Sequence, residues 1–175
     1  ASYCAGYSIF SISLVRGYGE FEFREDLKRL YTMLGEGEVV FLFTDAHVAE
    51  EGFLEFINNM LTTGMVPALY EQDEKDGLIN SVRKEAKGLG VVETPDALWS
   101  YYVQKCRNNM HIVLAMSPSG DKLRIRCRNF PGLISNAVID WFFTWPEDAL
   151  QKVAEFFLSE TPLPSEHRDN VVNHL

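Results

Sequence analysis

Residues 39–45 read VVFLFTD: an unbroken apolar run closed by a threonine and a single acid. A run this short, without alternation, reads as a strand covered on both faces, the kind that lies inside a parallel sheet. Residues 8–15 upstream (SIFSISLV) do alternate, with Phe10, Ile12 and Leu14 opposite Ile9, Ser11, Ser13 and Val15, and read as a second strand. Residues 111–116 (HIVLAM) are a third, broken by Ser117-Pro118-Ser119-Gly120, and residues 137–142 are a fourth candidate. Helical spacing fills the intervals. Residues 21–34 carry Phe23, Leu27, Leu30 and Leu34 and stop at Gly35 and Gly37; residues 48–63 close on Gly64 and Pro67. The acidic stretch 71–76 reads as a solvated face leading into a helix near residues 78–87. Thr94-Pro95-Asp96 opens a helix to Arg107 with proline at its first position. Residues 146–158 form another helix, entered through Glu147 and Asp148, and residues 164–175 begin one more. Strands separated by helices imply parallel pairing with right-handed crossovers, an α/β fold. Functional residues in such sheets gather at the carboxyl ends of the strands, here Asp45 and Ser117.

The 175 residues suit one domain, and 46% hydrophobic residues are enough to fill its core, so disorder is excluded. With 25 acidic against 16 basic residues the net charge is -9, which offers no broad positive surface to a nucleic-acid backbone. No apolar stretch approaches the roughly 18 to 20 residues of a membrane span. Cys4, Cys106 and Cys127 are an odd set without CxxC spacing and read as reduced thiols. The chain opens at Ala1 without a methionine or a signal pattern and inside helical spacing, as expected of a segment from a longer polypeptide.

A buried strand ending in one aspartate is the Walker B arrangement, in which the carboxylate helps hold the magnesium that bridges nucleotide oxygens. The same residue also suits a helix cap or turn. Catalytic versions add a second carboxylate directly afterwards to orient water; here that position is Ala46, which argues against efficient hydrolysis. Glu50 and Glu51 read as favourable charge at a helix start. Ser117 suits a polar sensor of the terminal phosphate, or a hydroxyl capping its Ser-Pro turn. Arg124, Arg126 and Arg128 alternate with other residues, so on an extended segment all three would face one way, toward surface carboxylates or toward a phosphate presented by a neighbour. No GxxxxGK[ST], GxSxG, HExxH or Rossmann glycine pattern occurs, and Gly17-Tyr18-Gly19 lacks the lysine of a phosphate loop. Cys106 with His111 is too thin for a thiol nucleophile.

Four stretches carry a resemblance: RGYGEFEFREDLKRLY (16–31), VVFLFTDAHVAEEGFLEFINNMLTTGMVPALY (39–70), HIVLAMSPSGDKLRIRCRNFPGL (111–133) and IDWFFTWPEDAL (139–150). Together they resemble, in order and over most of the chain, the fourth AAA+ module of dynein heavy chains. The resemblance implies a P-loop NTPase large subdomain over residues 1–158, lacking its first strand and P-loop, with residues 159–175 starting the following helical segment. It implies that Asp45 is the Walker B aspartate, binding ATP or ADP with magnesium once the P-loop before Ala1 is supplied, and that Ser117 is the sensor. Arg126, with Arg128 as second choice, matches the arginine finger that completes the neighbouring module's site. Asp45-Ala46 and Met116-Ser117-Pro118 look more like axonemal than cytoplasmic dyneins. The implied parent is an ATP-driven, minus-end-directed microtubule motor of the cilium or flagellum, working in the cytoplasm and cytoskeleton with intermediate and light chains. This module would bind nucleotide in a regulatory role; the alternatives are a structural spacer of the ring without nucleotide, or a cytoplasmic dynein module. Neither nucleic acid nor membrane is an expected partner.

Overall fold

The computed structural model describes residues 2–159 and divides the chain into two compact units, residues 1–138 and 139–175. In the first unit β1 (Ser8–Ser11), β2 (Val39–Thr44) and β3 (Met110–Ala115) form a parallel sheet in that order, with β2 in the middle. Phe10 lies beside Phe41, and Phe41 beside Ile112. The connections are helical: α1 (Ser2–Ala5) enters β1, α2 (Glu20–Glu36) joins β1 to β2, and α3 (Phe53–Thr63), α4 (Gln72–Gly88) and α5 (Pro95–Asn109) lie between β2 and β3. After β3 come α6 (Lys122–Asn129) and the short α7 (Gly132–Ser135). The expected parallel α/β architecture with flanking helices is the one found.

The apolar run of β2 is covered less evenly than its composition suggests. Val39, Phe41 and Phe43 are almost fully enclosed, packed with Phe10, Phe23, Leu27 and Phe53 in one core. Phe23 stacks on Phe53 with ring centroids 4.3 Å apart. The opposite face is thinner: Ile9 is 59% and Val113 46% exposed, and Leu42 is only partly buried. A strand with both faces covered was expected, but within the described residues the core-forming side chains of α2, α3 and α5 join only the Phe41 face.

Buried hydroxyls tie the helices to each other. The Tyr31 hydroxyl donates to the Gly64 carbonyl at 3.0 Å, and that of Tyr102 donates to the Tyr31 carbonyl at 3.1 Å, joining α2, α3 and α5 through the core. Gly64 ends α3 with φ of 82°, a left-handed cap that glycine adopts without penalty. Thr94 caps α5 as its sequence predicted, its hydroxyl accepting from the Ala97 N–H at 3.3 Å.

Several boundaries differ from the sequence expectation. α3 starts at Phe53 instead of residue 48, because a 3-10 turn at Asp45–His47 and tight turns around residues 49–52 intervene. α4 starts within the acidic stretch, where the Glu74 carboxylate accepts from the Glu71 N–H at 2.8 Å; these acids cap the helix instead of preceding it. Gly35 lies inside α2, and Gly37 ends it. β1 stops at Ser11, four residues early. The fourth strand expected over residues 137–142 is absent: the segment is irregular, and Val138 and Phe142 are 90% and 92% exposed. An apolar run becomes a strand only beside a partner edge, and this one pairs with none among the described residues.

In the second unit α8 (Glu147–Ser159) follows Pro146, with Glu147 and Asp148 in its first turn as expected. The helix anticipated over residues 164–175 lies outside the described residues. No helix among the described residues is long and apolar enough to cross a membrane.

Candidate functional site

The end of β2 positions the first site residue. Past Thr44 the chain enters the 3-10 turn, fixed by the Thr44 N–H donating to His47 Nδ1 at 3.1 Å and the Val48 N–H donating to the Asp45 carbonyl at 3.3 Å. The turn releases Asp45 from the sheet at its carboxyl end. Its Oδ2 accepts a hydrogen bond from the Ser117 N–H at 2.6 Å, just past the end of β3. Asp45 and Ser117, chosen as strand ends, thus meet across 72 residues of sequence.

Ser117 reaches Asp45 with its backbone, not with its side chain. Its hydroxyl accepts from the Ser119 N–H at 3.2 Å, the turn-capping alternative left open by the sequence.

The arginine cluster needs correction. α6 is a helix, not an extended segment, so residues two apart point some 200° apart around its axis. Arg124 is exposed and pairs with Asp121 at 3.2 Å, and Arg128 is exposed. Arg126 alone turns inward: at 7% exposure it is the one charged side chain buried among the described residues. Its Nη1 donates to Asp45 Oδ1 at 2.5 Å. Its Nη2 donates to Glu51 Oε1 at 2.8 Å, and its Nε is shared between both Glu51 oxygens at 3.2 Å. The fork of one guanidinium therefore spans two carboxylates. Glu51 first and Asp45 second hold its pKa above the usual arginine value, against the opposing effect of burial.

Glu51 is the site residue that sequence reasoning missed. Read as helix-start charge, it lies in the irregular turn before α3, where neither helical nor strand periodicity aims a side chain. Its partner lies 75 residues away, so no local signal marks the pair.

Asp45 offers the hard oxygen that magnesium prefers, and one carboxylate with nucleotide oxygens is a common magnesium set. Among the described residues, however, no three His, Cys, Asp or Glu side chains group to hold a metal by themselves. Both Asp45 oxygens already accept hydrogen bonds, one of them from a guanidinium. The donor chemistry fits magnesium with nucleotide, but with Arg126 in this position one Asp45 oxygen already faces a positive group.

The remaining candidates separate. Cys106 is fully enclosed, its thiol pushed up to about 11 by burial, while His111 stacks on Tyr7 at 4.8 Å; they form no nucleophilic pair. Gly17 has φ of 83°, and the Gly19 N–H donates to the Glu22 carboxylate at 2.9 Å, so Gly17-Tyr18-Gly19 is the entry turn of α2. A cleft of about 260 Å³ between α2 and α3, lined by Glu20, Arg24, Phe53 and Phe56, includes none of Asp45, Ser117 or Arg126.

Comparison with known proteins gives the setting of this geometry. Residues 1–175 match the family described as the P-loop containing dynein motor region D4. The chain is 62% identical over its whole length to the dynein-1-alpha heavy chain of the flagellar inner arm I1 complex of Chlamydomonas reinhardtii, of which it spans 4%. It is 52% identical over its whole length to human dynein axonemal heavy chain 10, and 40% to the Chlamydomonas reinhardtii dynein beta chain of the flagellar outer arm, again spanning 4% of each.

Proposed function

Because the chain belongs to the dynein motor region D4 family of P-loop proteins, we propose that it is part of the fourth AAA+ module of an axonemal dynein heavy chain and binds nucleotide there in a regulatory role. The observation that carries this reading is the end of β2. Asp45 follows the central strand, as a magnesium carboxylate would, and touches the end of β3, while the next residue, Ala46, has no carboxylate to orient a water. Bound magnesium would supply charge stabilisation between nucleotide oxygens. Asp45 would hold it, and the Ser117 N–H, at 2.6 Å, keeps that carboxylate facing the end of β3. Ala46 offers no carboxylate to accept the proton of an attacking water, and Glu51 is taken up by Arg126, so hydrolysis is slow and the bound nucleotide acts as a state marker.

The parent, on this reading, is an ATP-driven, minus-end-directed microtubule motor of the ciliary or flagellar axoneme. Neighbouring AAA+ modules of the same heavy chain are the immediate partners; intermediate and light chains and the microtubule engage other parts. The flagellar and axonemal names of the relatives support this placement. Arg126, with Arg128 as the second candidate, would be the arginine that serves the neighbouring module, Arg126 only once released from Asp45 and Glu51. A structural spacer without nucleotide is the second reading, favoured by one observation: Arg126 already balances Asp45 within the chain.

Single-turnover chemistry in the complete heavy chain tests the proposal. The unaltered module retains ATP with magnesium and hydrolyses it slowly, and Ala46→Glu speeds hydrolysis at this module by about a hundredfold, the lower end of general-base effects. Rapid hydrolysis in the unaltered module, abolished by Asp45→Asn alone, would contradict the regulatory role; no nucleotide retention would favour the spacer.

A further inference from the structure

We propose that Glu51 is a positioning residue that seats Arg126 as the internal counter-ion of Asp45, so that this guanidinium and a divalent cation occupy the Asp45 carboxylate alternately and never together. The inference rests on reading Asp45 as the magnesium carboxylate and adds a competitor for it.

The geometry supplies the exclusion. Arg126 Nη1 lies 2.5 Å from Asp45 Oδ1, and the Ser117 N–H takes Oδ2. A magnesium ion bonds carboxylate oxygen at about 2.0 to 2.1 Å. Placed on the same oxygen as Nη1, it would stand within a few ångströms of a positive group in a partly buried setting, where charge is poorly screened. The balance of charge agrees. Asp45 and Glu51 with Arg126 sum to one negative charge; a divalent cation would bring the cluster to one positive charge unless Arg126 moved away.

Glu51 makes the movement local. Three of the four contacts from the guanidinium go to Glu51, through Nε and Nη2, and only Nη1 reaches Asp45. Losing the Asp45 contact leaves Arg126 held by its other edge, with Nη1 free for another anion. The side-chain exposures fit such a pivot: Arg126 is 9% exposed, Asp45 40% and Glu51 63%, so both carboxylates can rehydrate while the arginine stem stays packed. Cation binding at Asp45 is thereby coupled to the release of an arginine that can face outward.

Hydrogen exchange read by mass spectrometry on the complete heavy chain tests this, comparing residues 39–52 with 121–130, without magnesium and with magnesium and ADP. Magnesium with ADP is expected to protect residues 39–52 while exchange in 121–130 rises by about tenfold, the response to losing one charge-assisted bond. Glu51→Gln is expected to give the fast exchange in 121–130 without magnesium. Arg126→Gln, or Arg126→Lys if that variant does not fold, is expected to lower the magnesium concentration needed for nucleotide retention. Protection of 39–52 with no change in 121–130, or an unchanged magnesium requirement in the arginine variants, would overturn the alternation while leaving the nucleotide reading intact. No change in either segment would overturn the nucleotide reading itself. A thermal-unfolding cycle of Asp45→Asn with Arg126→Gln decides the pairing separately: non-additive shifts support it, and additive shifts overturn it.

Discussion

Asp45 and Ser117 were legible because a strand end is a place that sequence can mark: an apolar run stops, and a polar residue follows. Their meeting at 2.6 Å follows from β2 and β3 being parallel neighbours in register. Arg126 was legible as a candidate but not its direction, which a helix sets through its rotation and packing. Cys106 shows the converse, a reactive residue type made inert by position. It is fully enclosed, its thiol pushed up to about 11 chiefly by burial and its Sγ 3.9 Å from the Tyr31 carbonyl. At neutral pH it stays protonated as well as inaccessible. Alkylation of the native chain followed by peptide mapping should modify Cys4, which is exposed, and leave Cys106 unmodified until denaturant is added. Modification of Cys106 in the native chain would show that the packing of α5 on α2 is looser than described.

At the scale of elements, the helices with clear periodic faces were readable and α6 was not. Its sequence LRIRCR alternates like a strand, yet arginine and leucine are good helix formers, and Ile125 remains 52% exposed, so the alternation serves no sheet face. What fixes α6 is Arg126, bound to Asp45 and Glu51, and what fixes α7 is contact with α3: the Gly132 N–H donates to Asn58 Oδ1 at 2.8 Å. A Cβ at Gly132 would lie 2.6 Å from that oxygen and 3.1 Å from Thr62 Cγ2. Gly132→Ala should therefore destabilise by about 1 to 3 kcal/mol through overpacking. Gly77→Ala, inside α4 with open space around its Cβ position, should stabilise by about 0.5 to 1 kcal/mol. Denaturant midpoints of the two variants check the contrast. Helix α4 also carries an acid-sensitive attachment. Lys28 bonds Glu74 at 2.7 Å, and Lys105 with Tyr101 bonds Glu85. Each lysine holds its carboxyl below the ordinary 4.5. A depressed carboxyl contributes stability above its unfolded pKa and loses it as pH falls through its folded value. The unfolding midpoint should thus fall as pH drops below 4.5, and less steeply in a Glu74→Gln, Glu85→Gln variant. An equal slope in that variant would place the acid sensitivity elsewhere.

For the whole molecule, composition set the class and the sheet set the frame. A net charge of -9 and 46% hydrophobic content pointed to an acidic α/β protein with a substantial core, and β1, β2 and β3 form its parallel sheet. The strand expected over residues 137–142 was not legible as irregular chain, because whether an apolar run pairs depends on a neighbouring edge that local sequence does not describe. The thin cover over Ile9 and Val113 had the same cause: an apolar run reports that its side chains suit burial, not what lies on each face. The central claim is that the Asp45 end of this sheet holds nucleotide with magnesium inside a dynein ring. Photo-affinity labelling of the complete heavy chain with an azido-ATP, followed by peptide mapping, tests it most directly. Magnesium-dependent labelling within residues 44–52 or 116–126, lost in Asp45→Asn, is the predicted result; labelling absent from both segments, or unchanged by Asp45→Asn, would contradict it.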